Sequence, residues 1–526
     1  MAIDAIVKIY HNVPLYPGTE HYILMDNEDT FLTTLNTKYL KRTYSTVLDP
    51  RNLVTSGSIQ LDGSYAEYSS CNYMYIAVQR NGQSFRRYAF ITNITYTNDN
   101  SFMVEYQIDN FTSFIYQMEK SRTGYVVREH TNNDAIGANK CDEGLDTGEY
   151  LHRQIVSSQN TLGTMIIVAT TKDIAGENYS GGRYNGLVNG NGLLAFNPGS
   201  EITAFQNYIN SMNEKGYISS INNIFLVPYF VCTDNDKDGG THKVNQSGTP
   251  KTFTFTGNKD YYLDGYTPKN NKLFTKPYCY CSVLNNQGGS IDLEFDLWTQ
   301  TSDIEFEVNG VIAQGQCCNI YPYNYGLTNG VGRNFLYTLP LGNYPSVSWQ
   351  NDQYANWLAQ TQNTRQNNIV QASVGTGVNA LTSLLSFDLQ GVGNAVVNGA
   401  SSISGQLASQ LDNAVLPNLV QNSNSYADLN TSMGLKRFDV ITNFITYQFA
   451  KRIDDYFSAF GYKTLETKQP NFYGRKNWNY LQITNYPIMG DIPNVAQQTI
   501  RGLLNNGVTL WHTFDVGNYS LDNSII

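Results

Sequence analysis

The residues best placed to do chemistry are acids. Asp292, Glu294 and Asp296 alternate with Ile291, Leu293, Phe295 and Leu297, and Asp303, Glu305 and Glu307 alternate with Ile304, Phe306 and Val308. A period of two puts side chains of one kind on one face of a strand. The segment Ser290–Asn309 therefore reads as a hairpin with all six carboxylates on one side. Carboxylates two apart on a strand lie roughly 6.6–6.8 Å apart at the backbone, which suits the acid and base of a glycosidase. Three readings are open: a solvated exterior face, the acidic lining of a pore or groove, or a catalytic pair. So many acids on one face point to a surface field before a single proton donor.

A second acidic motif is Asp234, Asp236 and Asp238 followed by Gly239. Oxygen ligands at positions 1, 3 and 5 and a glycine for the sharp turn match the start of a calcium loop. Position twelve is Asn245, where a bidentate Glu belongs, and no helical pattern brackets the loop. A polar surface loop and a weak Ca²⁺ site are both open, and no other cofactor is expected. The histidines (11, 21, 130, 152, 242 and 512) are scattered, as suits hydrogen-bonding residues of the fold better than a general base. The sequence holds no G-x-S-x-G, H-E-x-x-H, P-loop or C-x-x-C. Gly375-Thr376-Gly377-Val378-Asn379-Ala380 fits G-x-G-x-x-A but follows no expected strand, so no nucleotide site is assigned.

The elements that must position these residues follow from composition and periodicity. The chain has 526 residues, enough for about three to four domains at ~150 each. Its net charge of −10 argues against a basic duplex-DNA-binding face. Charged residues are 15% of the chain, and aromatics are 13%, with 39 tyrosines. That texture suits strands, turns and buried interfaces between subunits. Asp4 and Lys8 interrupt the opening apolar residues, so a secretory signal is not expected, and no run of 18 apolar residues exists. The cysteines number seven, with Cys317 and Cys318 adjacent, which suits a chain folded in a reducing compartment rather than a disulfide framework.

Phe85–Tyr96 and Phe102–Ile108 read as strands joined by a turn at Thr97-Asn98-Asp99-Asn100. Thr164–Thr170 reads as a buried strand, and Ile224–Phe230 as an edge strand because of Pro228. Ser200 is expected to cap a helix running to Met212. A polar helix is expected over Asp352–Gln371. A stronger one is marked by Phe438, Ile441, Ile445, Phe449, Ile453, Tyr456 and Phe460, ending at Gly461.

Between these two helices the chain changes character. From Gln366 to Leu435 there is no Lys or Arg, and within Ala372–Leu411 the sole charge is Asp388. Val374, Val378, Leu381, Leu384, Leu385, Phe387, Leu389, Val392, Val396, Val397, Ile403, Leu407 and Leu411 are spread among Gly, Ala, Ser and Asn. The polar residues are too many for a lone bilayer-crossing helix. Small residues permit close helix packing, so several copies around an axis can plug a channel or line a pore in lipid. A flexible loop and a buried helical hairpin are the competing readings.

Further motifs accumulate in a fixed order. Val127-Arg128-Glu129-His130 precedes Asp142-Glu143-Gly144-Leu145, then Tyr321-Pro322-Tyr323, Phe457 with Gly461-Tyr462, and Gly490-Asp491-Ile492. The chain closes with Asn506-Gly507-Val508-Thr509-Leu510-Trp511-His512-Thr513 and Gly517-Asn518-Tyr519-Ser520. In this order the chain resembles the distal tube, or tail knob, proteins of phi29-like short-tailed bacteriophages. The resemblance is strongest over 85–150 and 435–526 and is not matched over roughly 150–275.

The resemblance implies a mainly β fold, and the mixed strand and helix texture of 151–275 adds an α+β insertion to it. It implies β-barrel-like tube domains in a hexameric ring, and two helices flanking a long apolar loop. The expected division is an N-terminal β tube domain (1–150), an α+β outer-knob insertion (151–275) and a second β tube domain with the acidic hairpin (276–348). The helices and apolar loop (349–460) and a C-terminal β region (461–526) complete it. It implies a structural virion protein, not an enzyme, assembled in the host cytoplasm. Its partners would be other copies of itself in a homo-hexamer, an upstream tail-tube or collar protein and a tip protein that digests cell wall. Genomic DNA would pass through the lumen without sequence readout, and the apolar loop at 372–411 would plug the tube and enter the host membrane. A lumen-facing acidic hairpin would keep DNA from sticking, within the ~8–10 Å reach of unscreened charge. A receptor-binding tail module and a cell-wall-degrading tail enzyme are the alternatives.

Overall fold

The computed structural model describes residues 3–48, 53, 55–80, 83–157, 164–179, 182–184, 187–189, 191–197, 200–232, 242–244, 251–285, 288–299, 301–313, 318–327, 332–341, 346–348 and 437–526. The calcium-like motif at 234–238, the polar helix at 352–371 and the apolar segment 372–411 lie outside these residues. The chain divides into two compact units. The first comprises Met1–Tyr150, Leu263–Tyr278 and Ile445–Ile526; the second comprises Leu151–Tyr262 and Cys279–Phe444. Residues 1–150 and 461–526, separate segments by sequence, thus share one unit.

In chain order the strands are β1 (Ile3–His11), β2 (His21–Ile23), β3 (Leu40–Leu48), β4 (Ser56–Asp62), β5 (Cys71–Arg80), β6 (Gln83–Asn98), β7 (Ser101–Ile108) and β8 (Gly124–Glu129). Then come β9 (Tyr150–Ser157), β10 (Thr164–Thr170), β11 (Gly182–Tyr184), β12 (Leu187–Asn189), β13 (Gly192–Phe196), β14 (Ile221–Pro228) and β15 (Lys251–Asn258). They continue as β16 (Cys279–Leu284), β17 (Ser290–Leu293), β18 (Asp303–Gly310), β19 (Cys318–Tyr323), β20 (Leu339–Leu341), β21 (Ser346–Ser348) and β22 (Asp439–Ile445). The last are β23 (Tyr462–Lys468), β24 (Trp478–Thr484) and β25 (Val508–Trp511). Helices are α1 (Glu28–Tyr39), α2 (Tyr65–Tyr68), α3 (Asn110–Phe114), α4 (Ile202–Glu214), α5 (Tyr447–Phe460) and α6 (Asn494–Asn506).

The first unit holds a six-stranded antiparallel sheet ordered β3-β1-β5-β6-β7-β4 and a five-stranded sheet ordered β2-β25-β24-β8-β23. The expected hairpin is present: β6 and β7 pair across the Asp99-Asn100 turn. Period two in β7 buries Phe102, Val104, Tyr106 and Ile108. Tyr73, Tyr88 and Phe90 share a core with Phe31 and Leu35 of α1 and with Trp478 and Trp511 of the second sheet. Asn27 starts α1 by accepting from the Thr30 N–H at 2.8 Å, and Glu28 and Asp29 suit the positive end of the helix dipole. Ala496, Ile500 and Leu504, spaced four apart on α6, pack on Leu481, Ile483 and Val508. Burial of Ile500 or Leu504 contributes about 1.5–3 kcal/mol each.

The second unit contains sheets ordered β13-β10-β14-β21, β15-β18-β19-β20 and β17-β16-β22-β9, with a β11–β12 hairpin. The strand Thr164–Thr170 forms as expected. Several expectations need correction. Strand β14 lies between β10 and β21 rather than at an edge; Pro228 is tolerated because it is the last residue of the strand. Helix α4 begins after Glu201, whose carboxylate accepts from the Asn197 N–H at 2.7 Å; the entry is fastened by that bond rather than by Ser200. The long helix starts only at Tyr447. Residues Asp439–Ile445 are β22, since Val440, Thr442 and Phe444 alternate as well, and β-branched residues favour the pleat.

The acidic hairpin does not form. Strand β17 pairs with β16, whereas β18 pairs with β15 and β19 in a different sheet. Between them Phe295–Leu297 makes a 3₁₀ turn, and buried Trp298 donates its indole N–H to the Tyr323 carbonyl at 3.0 Å. Phe255 of β15 stacks on Phe306 at 5.2 Å, a partner that β17 does not provide. Ile304, Phe306 and Val308 are buried as the alternation requires, but the acids do not share one face.

Candidate functional site

Strand β8 carries charge into the interior of the first unit. Arg128, Glu129 and His130 follow Val126 and Val127, and all three are buried. Each therefore needs a partner, because a buried unpaired charge is costly. Glu143, its side chain fully enclosed, pairs with both Arg128 and Lys272 and accepts from the Lys463 N–H at 3.0 Å. Arg128 also donates to the Gly461 carbonyl at 2.9 Å, and Lys272 to the Cys141 carbonyl at 2.7 Å. Burial lowers the Lys272 ammonium below its usual range, and the bond to Glu143 opposes that shift.

The network continues on both sides. Asp134 accepts from the Tyr462 hydroxyl and from the Asn271 N–H, the latter at 3.1 Å, and burial holds its carboxyl above the usual range. Asp454 of α5 accepts from Tyr266, Lys269 and Asn270. Glu129 meets Lys468 at 2.8 Å and the Asn471 N–H at 2.8 Å. His130 accepts at Nδ1 from the Tyr480 N–H at 2.8 Å, so Nε2 carries the proton toward the Ser458 carbonyl at 3.1 Å. Burial first, then the nearby Arg475 charge, pushes its pKa down to about 3.

These contacts tie residues 128–143 to 266–272 and 454–471. A buried ion pair adds little net stability over apolar packing, but removing one partner costs about 3–5 kcal/mol. The network thus fixes which distant segments meet. It offers no reaction, since every acid is committed to a structural donor.

The sequence-based candidates fare differently. Asp292 accepts from the Ser282 hydroxyl at 2.7 Å on β17, and Glu294 and Asp296 follow at the 3₁₀ turn. Asp303 lies near Lys259, and Glu305 accepts from the Asn324 amide at 2.7 Å. Glu307 is buried against Arg333, so it belongs to no exposed face. Among the described residues no group of His, Cys, Asp and Glu is arranged to hold a metal. The histidines meet structural partners, such as His11 with the Tyr39 carbonyl at 2.9 Å and His152 with the Asn443 amide at 2.7 Å. No disulfide is formed among the described residues. No described helix is long and apolar enough to cross a membrane. Sequence reasoning missed the partners of Glu143 and Asp454. The available signal was Asp454 itself, a charge on the apolar stripe of α5 with Ala450, Ile453 and Phe457.

Residues 241–524 match the family of the Bacillus phage phi29 tail knob protein gp9, C-terminal domain. Residues 4–120, most of the six-stranded sheet, match the N-terminus of the caudoviral major tail protein. Over a 604-residue alignment the chain is 25% identical to tail knob protein gp9 of Bacillus phage PZA, covering 99% of this chain and 98% of that protein. It is 24% identical to the tail knob protein gp9 of Bacillus phage phi29 over 515 residues, 83% of this chain and 85% of that one. The fold matches the tail knob protein gp12 of bacteriophage C1 with a TM-score of 0.65 and 14% identity, over 99% of this chain and 100% of that one. The chain belongs to the tail knob protein gp9 family of phi29-like phages, structural components of the virion tail.

Proposed function

We propose that six copies of the chain assemble as the distal tube of a short tail and conduct the genome during ejection. The observation that carries this reading is the match of residues 4–120 to a major tail protein, on residues that fold as a broad antiparallel sheet. A sheet of that kind can line an axial passage while its edges meet neighbouring copies. The upstream partner is a tail-tube or collar protein, and the distal partner a tip protein that digests cell wall.

Ala372–Leu411, with Asp388 as its sole charge, supplies the plug and the membrane-active segment. One weakly apolar loop binds lipid poorly, whereas six tethered loops act at high effective concentration. Each CH₂ they bury is worth roughly 0.8 kcal/mol, so mutual packing can hold a plug until lipid replaces it. Glu307 is enclosed and the other acids stand in two sheets, so a like-charged lumen wall would need Asp292, Glu294, Asp296, Asp303 and Glu305 brought to the axis from both. A wall of like charge keeps sliding DNA from adhering.

Imaging of purified particles tests the assembly: a six-fold ring with an axial hole is expected, and any other symmetry refutes it. Deletion of 372–411 is expected to leave the ring intact and abolish dye release from lipid vesicles by particles. Unchanged release would remove the membrane role.

A further inference from the structure

The first unit carries a cleft of about 680 Å³ between the edge strand β23, the end of β8 and the loop 132–141. Its walls hold Lys120, Lys140, Lys463 and Lys468 against Glu129 and Glu466, more cations than anions in a chain of net charge −10. Local positive charge on an acidic protein concentrates anions. Lys468 is largely neutralised by Glu129 at 2.8 Å, but Lys120 and Lys463 make no ion pair among the described residues. Lys120 instead lies 5.9 Å from the ring centres of Tyr116 and Tyr473.

The backbone of β23 is shaped to serve this cleft. Lys463 faces Arg128 and Glu466 faces Val126, so β23 uses three steps where β8 uses two. The extra residue reverses the alternation and brings Lys463, Glu466 and Lys468 to one side, where all three line the cleft. Leu465 sits in this bulge at φ +52°, a conformation that costs a branched residue about 1–2 kcal/mol, and its side chain is exposed. The exposed Leu465 side chain gains little from burial, and the bulge re-aims the side chains on either side of it.

The remaining wall is amide and aromatic. Asn132, Asn139 and Gln469 offer hydrogen bonds of the kind hydroxyls use, and Tyr473 offers a ring face. The loop is held in place: the Asn139 amide donates to the Asn133 carbonyl at 2.8 Å, and Asn471 donates to Asn132 at 2.6 Å. We propose that this cleft is a binding subsite for a negatively charged sugar unit, with Lys120 and Lys463 taking the anionic group, the amides the hydroxyls and Tyr473 the ring.

Calorimetric titration of the purified full-length protein tests this. Glucose 6-phosphate and glucuronate separate phosphate from carboxylate as the anion, and glucose and inorganic phosphate are controls. At least one charged sugar is expected to bind about tenfold or more tighter than either control. Lys463→Gln, or Lys463→Gln with Lys120→Gln, is expected to weaken it by about tenfold at unchanged melting temperature. Lys463 is partly exposed, so the single variant serves if the double one fails to fold. Absence of saturable binding, or equal affinity for inorganic phosphate, overturns the proposal. So does tighter binding of a short single-stranded oligonucleotide that the same variants abolish, which would reassign the cleft to nucleic acid.

Discussion

Asp454 and Asn270, 184 residues apart, are joined by three hydrogen bonds: one carboxylate oxygen accepts the Asn270 backbone N–H at 3.0 Å and its side-chain amide at 2.8 Å, and the Asp454 backbone carbonyl accepts that amide at 3.2 Å. The other oxygen accepts the Tyr266 hydroxyl and the Lys269 N–H, both at 2.8 Å. Both oxygens are therefore acceptors, and an Asn at 454 must aim an NH₂ at donors whichever way it turns. Asp454→Asn and Asp454→Ala are both expected to destabilise the first unit by about 3 kcal/mol or more, since buried donors lose their partners. Denaturant midpoints measure it. A loss under about 1 kcal/mol for Asp454→Asn would show that these bonds do not hold α5 to residues 266–270.

Local periodicity made part of this fold readable. Strands β6, β7 and β10 were legible because their alternation and turn residues agree with the pairing they find. The C-terminal half of the long helix and its Gly461 stop were legible for the same reason. The residues 438–445 carry helical and strand periodicities at once, and pairing with β16 decides between them. The two acidic segments misled because alternation reports a strand's faces and not its neighbours. Phe306 chose Phe255 in β15, some fifty residues earlier in sequence and invisible to local reading. The Glu143 network was hidden likewise, since Arg128 and Lys272 meet only through tertiary structure.

Gly461 ends α5 at φ +63° and ψ −154°, a region open essentially to glycine alone. An added Cβ would fall on the Glu129 carbonyl and the His130 nitrogen of β8. Helix stop and strand packing thus demand the same residue. Gly461→Ala is expected to cost about 3 kcal/mol or more, strain and clash together. Gly502, exposed within α6 with open space about its Cα, is the control: Gly502→Ala is expected to stabilise by about 0.5–1 kcal/mol. Thermal melts of the two variants should move in opposite directions. A neutral Gly461→Ala would mean that β8 and α5 are free to separate.

His130 sets an acid limit on the same region. In the unfolded chain its imidazole titrates near 6.5, whereas in the fold its pKa is pushed down to about 3. As pH falls, the unfolded state takes the proton first. The contribution of neutral His130 is therefore fully present above pH 6.5 and is lost progressively as pH falls toward 3, at up to about 1.4 kcal/mol per pH unit. Burial is the main cause and the nearby Arg475 charge the next; in addition Nδ1 already accepts the Tyr480 N–H, so a second ring proton would face a donor. His130→Gln removes this titration. Its stability is expected to decline less steeply between pH 6 and 4 than that of the unaltered chain, whatever its loss at neutral pH. Urea midpoints across that range measure the two slopes. Parallel slopes would mean that His130 takes up its proton within the folded chain, and that its burial beside Arg475 does not hold it neutral.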